Sequence, residues 1–157
     1  MGSAADVPDA DDWFGFWIGL GSEGGRHLEV THLAPSGIAD EGWHRFLVEA
    51  SAPGFTARFQ CETTLGVFAA FRDEVLAMHK TLQGAASLEF LEEGVHVHGE
   101  MIDRYGHVLW RIVLTHPIGL GSSELAFEIS EDQTTLWNVV AKIDSLLEAL
   151  GFSVDSR

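Results

Sequence analysis

The strongest chemical signal in the chain is His96-x-His98-x-Glu100. Successive side chains of a strand alternate faces, so these three would project from one face at intervals of about 7 Å. Two imidazoles and a carboxylate can ligate zinc or iron. One neighbour opposes this. If Ile102 pairs with His107 across the turn Asp103-Arg104-Tyr105-Gly106, Arg111 falls opposite His98 and places a cation beside the would-be ligands. The plainer reading is the solvated polar face of a sheet, with His96, His98 and Glu100 as weak metal candidates.

Other motifs carry less. Gly19-x-Gly21-x-x-Gly24 has the spacing of a dinucleotide fingerprint. That fingerprint must open a helix whose N-terminus holds the pyrophosphate. Here Gly25-Arg26-His27 and a strand-like alternation follow, which predicts a loop between strands. The lone cysteine, Cys61, falls on the apolar side of its strand, where a thiol is inert core material. Gly119-Leu120-Gly121-Ser122-Ser123 fails the hydrolase elbow at its last glycine. No pair of carboxylates stands out as an acid/base couple. The expectation is therefore no catalytic residue, no cofactor and no enzyme.

The elements that would position these residues follow from periodicity. Residues 1–12 read as a flexible acidic arm, 13–151 as a single domain and 152–157 as a tail. Trp13–Ile18 is an aromatic strand. His27–Leu33, Trp43–Ala50 and Phe55–Glu62 alternate, the last with Phe55, Ala57, Phe59 and Cys61 on one face. A helix over Thr64–Leu82 carries the stripe Phe68, Phe71, Val75, Met78 and Leu82, with Thr63 or Thr64 as its cap and Gly84 as its stop. Short strands follow at Leu88–Leu91, Val95–Ile102, His107–Leu114 and Glu124–Ile129. In the register above, Met101, Gly99 and Val97 meet Val108, Trp110 and Ile112, all apolar or small. A second helix, Gln133–Leu150, carries Leu136, Val140, Ile143, Leu147 and Leu150, with Ser130 and Gln133 spaced as a capping box and Gly151 as its stop. The predicted fold is α+β: an antiparallel β-sheet of about six to eight strands with two amphipathic helices packed on it.

Charge sets the partners. The chain has 157 residues, with 24 Asp and Glu against 9 Lys and Arg, a formal net charge of -15. Such a surface repels nucleic acid and anionic membranes and draws cationic partners. A single cysteine, the absence of a signal-peptide pattern and the lack of a long apolar run predict a cytoplasmic protein.

Four motifs in the C-terminal half run in a telling order. They are Thr81-Leu82-x-Gly84-x-Ala86-x-Leu88, Gly106-His107-Val108, Glu124-Leu125-Ala126-Phe127-Glu128 and Asp132-Gln133-Thr134-Thr135-Leu136. Together they resemble the bacterial family of immunity proteins to wall-associated, contact-delivered toxins. The resemblance implies a role: an acidic protein that neutralises a toxin domain inside the producing cell by binding it. Where that toxin is a nuclease, its phosphate-binding surface must be basic and an acidic inhibitor can occupy it. The partner-binding candidates are the carboxylates on turns and off the helical stripe: Asp73, Glu74, Glu89, Glu92, Glu93, Glu100 and Asp103. A metal-dependent protein built on His96, His98 and Glu100, or an accessory domain with no ligand, are the competing readings.

Elemental analysis of the purified, tag-free protein distinguishes them. The expected result is less than stoichiometric zinc, iron and manganese. One equivalent of metal that disappears in His98→Ala would establish the metal reading instead.

Overall fold

The aromatic content of the first helix determines how the layers assemble. The computed structural model describes residues 14–19, 25–35, 42–91, 94–118 and 121–152. The acidic arm, Trp13, Glu92 and Glu93 lie outside them, as does the tail beyond Phe152. Four strands come first: β1 (Gly15–Ile18), β2 (His27–Pro35), β3 (Trp43–Ala52) and β4 (Phe55–Thr64). Helix α1 (Leu65–Thr81) follows. Four more strands then lead to a second helix: β5 (Ala85–Glu89), β6 (Val95–Met101), β7 (His107–Ile118), β8 (Gly121–Asp132) and α2 (Thr134–Ala149). The chain is thus four strands and a helix, twice over.

Every described strand pairing is antiparallel, as expected, and the eight strands form two sheets where the sequence reading drew one. Their orders are β1-β2-β3-β4 and β5-β6-β7-β8. The break falls where α1 intervenes, because seventeen helical residues carry the chain away from β4 before it extends again. The core lies between the sheets and the helices. Phe68 of α1 packs on Phe16 of β1 and Phe46 of β3, and also on Phe90, which follows β5, with ring centroids 4.8–6.2 Å apart. Phe71, one turn on, meets Phe16 and Trp110 of β7 at 5.9 and 6.0 Å. The two rings on α1 therefore join one sheet to the other. In turn, α1 lies along α2 and β5, while α2 lies against β1.

The expected register between β6 and β7 holds: Met101, Gly99 and Val97 pair with Val108, Trp110 and Ile112. Gly99 is needed there, because a Cβ on it would stand 2.3 Å from the indole of Trp110. Cys61 is buried, as expected.

Some boundaries move. β5 begins at Ala85 and ends before Leu91, which is exposed. Leu82 leaves the α1 stripe: it is the helix C-cap at φ 55°, its N–H donates to the Met78 carbonyl, and its side chain is 36% exposed. Helix α1 therefore stops before Gly84, which instead redirects the chain at φ 95°. The capping box does not form. Ser130 stays in β8, whose pairing with β7 continues to Asp132, and the Gln133 N–H is taken by the Gly106 carbonyl at 2.6 Å. Asp132 caps α2 instead, accepting the Thr134 N–H at 3.1 Å.

One polar pair sits at the margin of the first sheet. His32 Nε2 and His44 Nδ1 are 2.9 Å apart, and the His32 ring stands edge-on to Phe46. Burial, aided by repulsion from His44, pushes His32 down to about 4; burial lowers His44 as well.

Three outcomes test this packing. Ile143 on α2 is fully buried, so Ile143→Ala should cost about 2–4 kcal/mol in denaturant unfolding. Gly99→Ala overfills the space over Trp110 and should cost about 1–3 kcal/mol; a loss no larger than about 0.5 kcal/mol, typical of a surface site, would contradict either assignment. His32 makes the third. The unfolded chain binds a proton near its usual value of 6.5, but the folded chain not until about 4. Stability is therefore unaffected by this group above that window and declines as pH falls through it. Thermal melts of His32→Gln should show a flatter decline between those limits than the parent. Parallel curves would remove His32 from the account.

Candidate functional site

The second sheet turns one polar face to solvent, and the sequence triplet lies in its middle. Val95, Val97 and Gly99 are buried on the inner side, while His96, His98 and Glu100 point outward. Their side chains are engaged separately. Glu89 of β5 holds His96 Nδ1 at 2.8 Å. Ser87 of β5 holds His98 Nδ1 at 2.8 Å. Arg111 of β7 reaches past its register partner His98 and donates to Glu100 at 2.8 Å. The same guanidinium donates to Glu128 of β8 at 3.0 Å. These bonds with Glu100 and Glu128 raise Arg111 above its ordinary value. The cation thus takes up the carboxylate of the triplet, and the three residues form part of a cross-strand polar ladder spanning β5 to β8. Among the described residues, no three His, Cys, Asp or Glu gather around a point that a metal could occupy.

The candidate carboxylates divide into two groups. Glu74 of α1 accepts the Ser87 N–H at 3.0 Å, which brings it to the β5 margin of the ladder with Glu89 and Glu100. Asp103 lies in the turn after β6, accepting the Tyr105 N–H at 2.8 Å and bonding His107 Nδ1; the bond from His107 is the main reason its carboxyl is held below the usual range. Asp73 faces elsewhere. It joins Arg72, which donates to Asp144 of α2 at 2.7 Å and so ties the two helices together. Glu92 and Glu93 fall between β5 and β6, outside the described residues. Glu74, Glu89, Glu100 and Asp103 are therefore distributed over one sheet and its margins, with Asp73 on the helical side.

Sequence reasoning missed two features. Glu124 and Glu128 project outward from β8, and Arg111 draws Glu128 into the ladder. The alternation Glu124-Leu125-Ala126-Phe127-Glu128 held that signal, once β8 is paired with β7. The second feature is a cleft where the β4 side of the first sheet separates from β7 and β8. Two adjoining recesses, of about 770 and 260 Å³, share Phe55, Glu124 and Leu125 in their walls. Phe55 and Phe59 supply apolar surface from one sheet, Leu114, Leu125 and Phe127 from the other. Phe55 is 65% exposed. At its far end β4 closes down: Thr63 Oγ1 accepts the Leu91 N–H, and Gly94 approaches Cys61 so closely that a Cβ would lie 2.7 Å from the sulfur.

The Gly19–Gly24 segment leads into β2, a strand, and so lacks the helix that a dinucleotide needs; residues 20–24 lie outside the described residues. Among the described residues, no helix is long and apolar enough to cross a membrane.

Comparison with known proteins agrees with the order of motifs in the C-terminal half and extends it. A search of curated proteins finds no match. The immunity protein WapI-like family, in contrast, matches residues 17–151, which takes in both sheets and both helices. Coverage of that extent decides the assignment: the chain belongs to the WapI-like immunity protein family.

Proposed function

We propose that this protein neutralises a bacterial toxin domain by binding it stoichiometrically, without catalysis, in the cytoplasm of the cell that makes both. The observation that carries the reading is membership of the immunity family across residues 17–151. The charge supports a particular kind of toxin. A net charge of -15 favours a basic partner, and a nuclease domain is basic because it must hold a phosphate backbone. Nucleic acid and anionic membranes are repelled by the same field.

The binding candidates are Asp73, Glu74, Glu89, Glu92, Glu93, Glu100 and Asp103, joined now by Glu128. The ladder on the second sheet offers carboxylates in excess of its one guanidinium: Glu89, Glu100 and Glu128 against Arg111. Charges of this kind act at range. They accelerate encounter and orient the approach more than they hold the finished complex.

The test is stopped-flow or surface binding with the C-terminal domain of the toxin encoded beside this gene. Raising salt from about 50 to about 500 mM should slow association about tenfold and leave dissociation nearly unchanged, because screening acts on steering. Glu89→Lys with Glu92→Lys should lower k_on several-fold. Loss of the exposed Glu89–His96 pair should move stability by no more than about 0.5 kcal/mol. Absence of any complex refutes the reading. Tight binding that ignores both salt and these reversals would reduce the acidity to a device for solubility.

A further inference from the structure

Each of the two sheets has two edges, and they are treated differently. The edges at β1 and β5 are four and five residues long, and α2 and α1 lie against them. The edges at β4 and β8 are ten and twelve residues long, and no described strand pairs with their outer sides. An open edge of that length is a template for another strand, and proteins commonly blunt one with a lysine, a proline or a bulge. β8 has none of these. From Gly121 to Asp132 it contains no Lys, Arg or Pro, and it pairs with β7 through twelve consecutive residues without a shift in register. The motif Glu124-Leu125-Ala126-Phe127-Glu128 occupies its middle. Leu125 and Phe127 are half-buried along the cleft, while Glu124, Ala126 and Glu128 are exposed on the other face.

We propose that the outer edge of β8, over Ser122–Glu128, receives an extended segment of the toxin as a fifth strand of the second sheet. The segment would alternate apolar residues, which enter the cleft toward Phe55 and Phe59, with Lys or Arg, which lie beside Glu124 and Glu128. This rests on the reading of the chain as a toxin-binding protein and specifies its docking edge. The chemistry of the occupant follows from the strand it joins. Directly opposed side chains in an antiparallel pair sit about 4.5–5.5 Å apart, so an added strand cannot avoid these carboxylates. Glu124 has no ion-pair partner among the described residues. Arg111 offsets only part of the charge it meets, since it is shared between Glu100 and Glu128. An acidic segment would be repelled. A second copy of β8 is disfavoured for the same reason: self-pairing about Ala126, which keeps Leu125 and Phe127 on the cleft side, sets each Glu124 against a Glu128. The apolar half of the pattern comes from the cleft, whose exposed Phe55 and half-buried Phe59, Leu125 and Phe127 await cover. Main-chain bonds along the edge supply affinity, and the alternate side chains supply selection.

Amide hydrogen exchange on the full chain, alone and mixed with the neighbouring toxin domain, tests this directly. Exchange across residues 122–128 should slow at least about tenfold in the complex, as for amides newly bonded in a sheet. A kinetic arm separates docking from steering. Glu124→Lys should raise k_off, whereas the same charge change at Glu89 should alter k_on alone. A complex in which residues 122–128 exchange as in the free chain, or in which Glu124→Lys behaves as Glu89→Lys does, overturns the docking edge and leaves the toxin-binding reading standing. Failure of the unmodified chain to form any complex overturns both. A free chain that is already dimeric, with these amides protected, would assign the edge to a second copy and overturn the proposal.

Discussion

Two phenylalanines one turn apart on α1 decide how this molecule is assembled. Phe68 touches rings of β1 and β3 and the ring that follows β5, and Phe71 touches β1 and the indole of β7. Each buries an aromatic side chain worth about 2–3 kcal/mol in transfer from water, and the ring pairs add about 0.5–1.5 kcal/mol apiece. The larger consequence is geometric. Neither four-stranded meander can cover its apolar face alone, and the helix between them supplies the surface that both need. Gly99 belongs to the same constraint, since the Trp110 indole that receives Phe71 lies over the bare backbone of β6.

That arrangement also fixes which edges are closed. Each helix ends a meander but lies against the first strand of the other one, α1 at β5 and α2 at β1. Arg72 and Asp144 tie the helices across this contact. Both protected edges are therefore on the helical side, and both long, uncovered edges are away from it. A packed side and an open side thus arise from one choice, the placement of α1 between the sheets. The open side keeps its shape because β4 is anchored at its far end, where Thr63 meets Leu91 and Cys61 meets Gly94. A recognition surface is best carried by elements that do not have to form on binding, because ordering them would weaken affinity.

The sequence disclosed what short-range periodicity can encode. The stripe Phe68, Phe71, Val75 and Met78 is buried as its spacing demands, as is Leu136, Val140, Ile143 and Leu147. The β6–β7 register was legible because only one pairing across the Asp103–Gly106 turn brings apolar residues together throughout. What stayed hidden depends on long-range choices. An alternating strand looks the same in one sheet or two, so the division at α1 was invisible. Phe55 was read as inward, and it does lie on the inner side of β4, yet it is mostly exposed because the sheets part there. Serine at 130 has the spacing of a cap, but β7 holds β8 in the ladder until Asp132. Of the site, the polar face at His96, His98 and Glu100 was legible and its link through Arg111 to Glu128 was not, since that bond needs β8 as the third strand.

The distribution of charge separates two jobs that acidity could do. Only nine basic residues stand against twenty-four acidic ones. Arg45, Arg58, Arg72 and Arg111 each lie beside a carboxylate, so their positive charge is cancelled close to its source. Acidity is not confined to the second sheet. On the first sheet Glu29 and Glu49 oppose each other across the pairing, and burial together with that repulsion raises Glu29 above its ordinary value. Like charges placed in register destabilise a sheet, so the chain retains this negative field at some cost to its own stability. A field spread over both sheets attracts a cationic protein from any direction and cannot by itself choose a face. It sets the rate of encounter, while selection among basic partners requires contacts that act only at close range. The long edges and the apolar cleft between them are where the described structure offers such contacts.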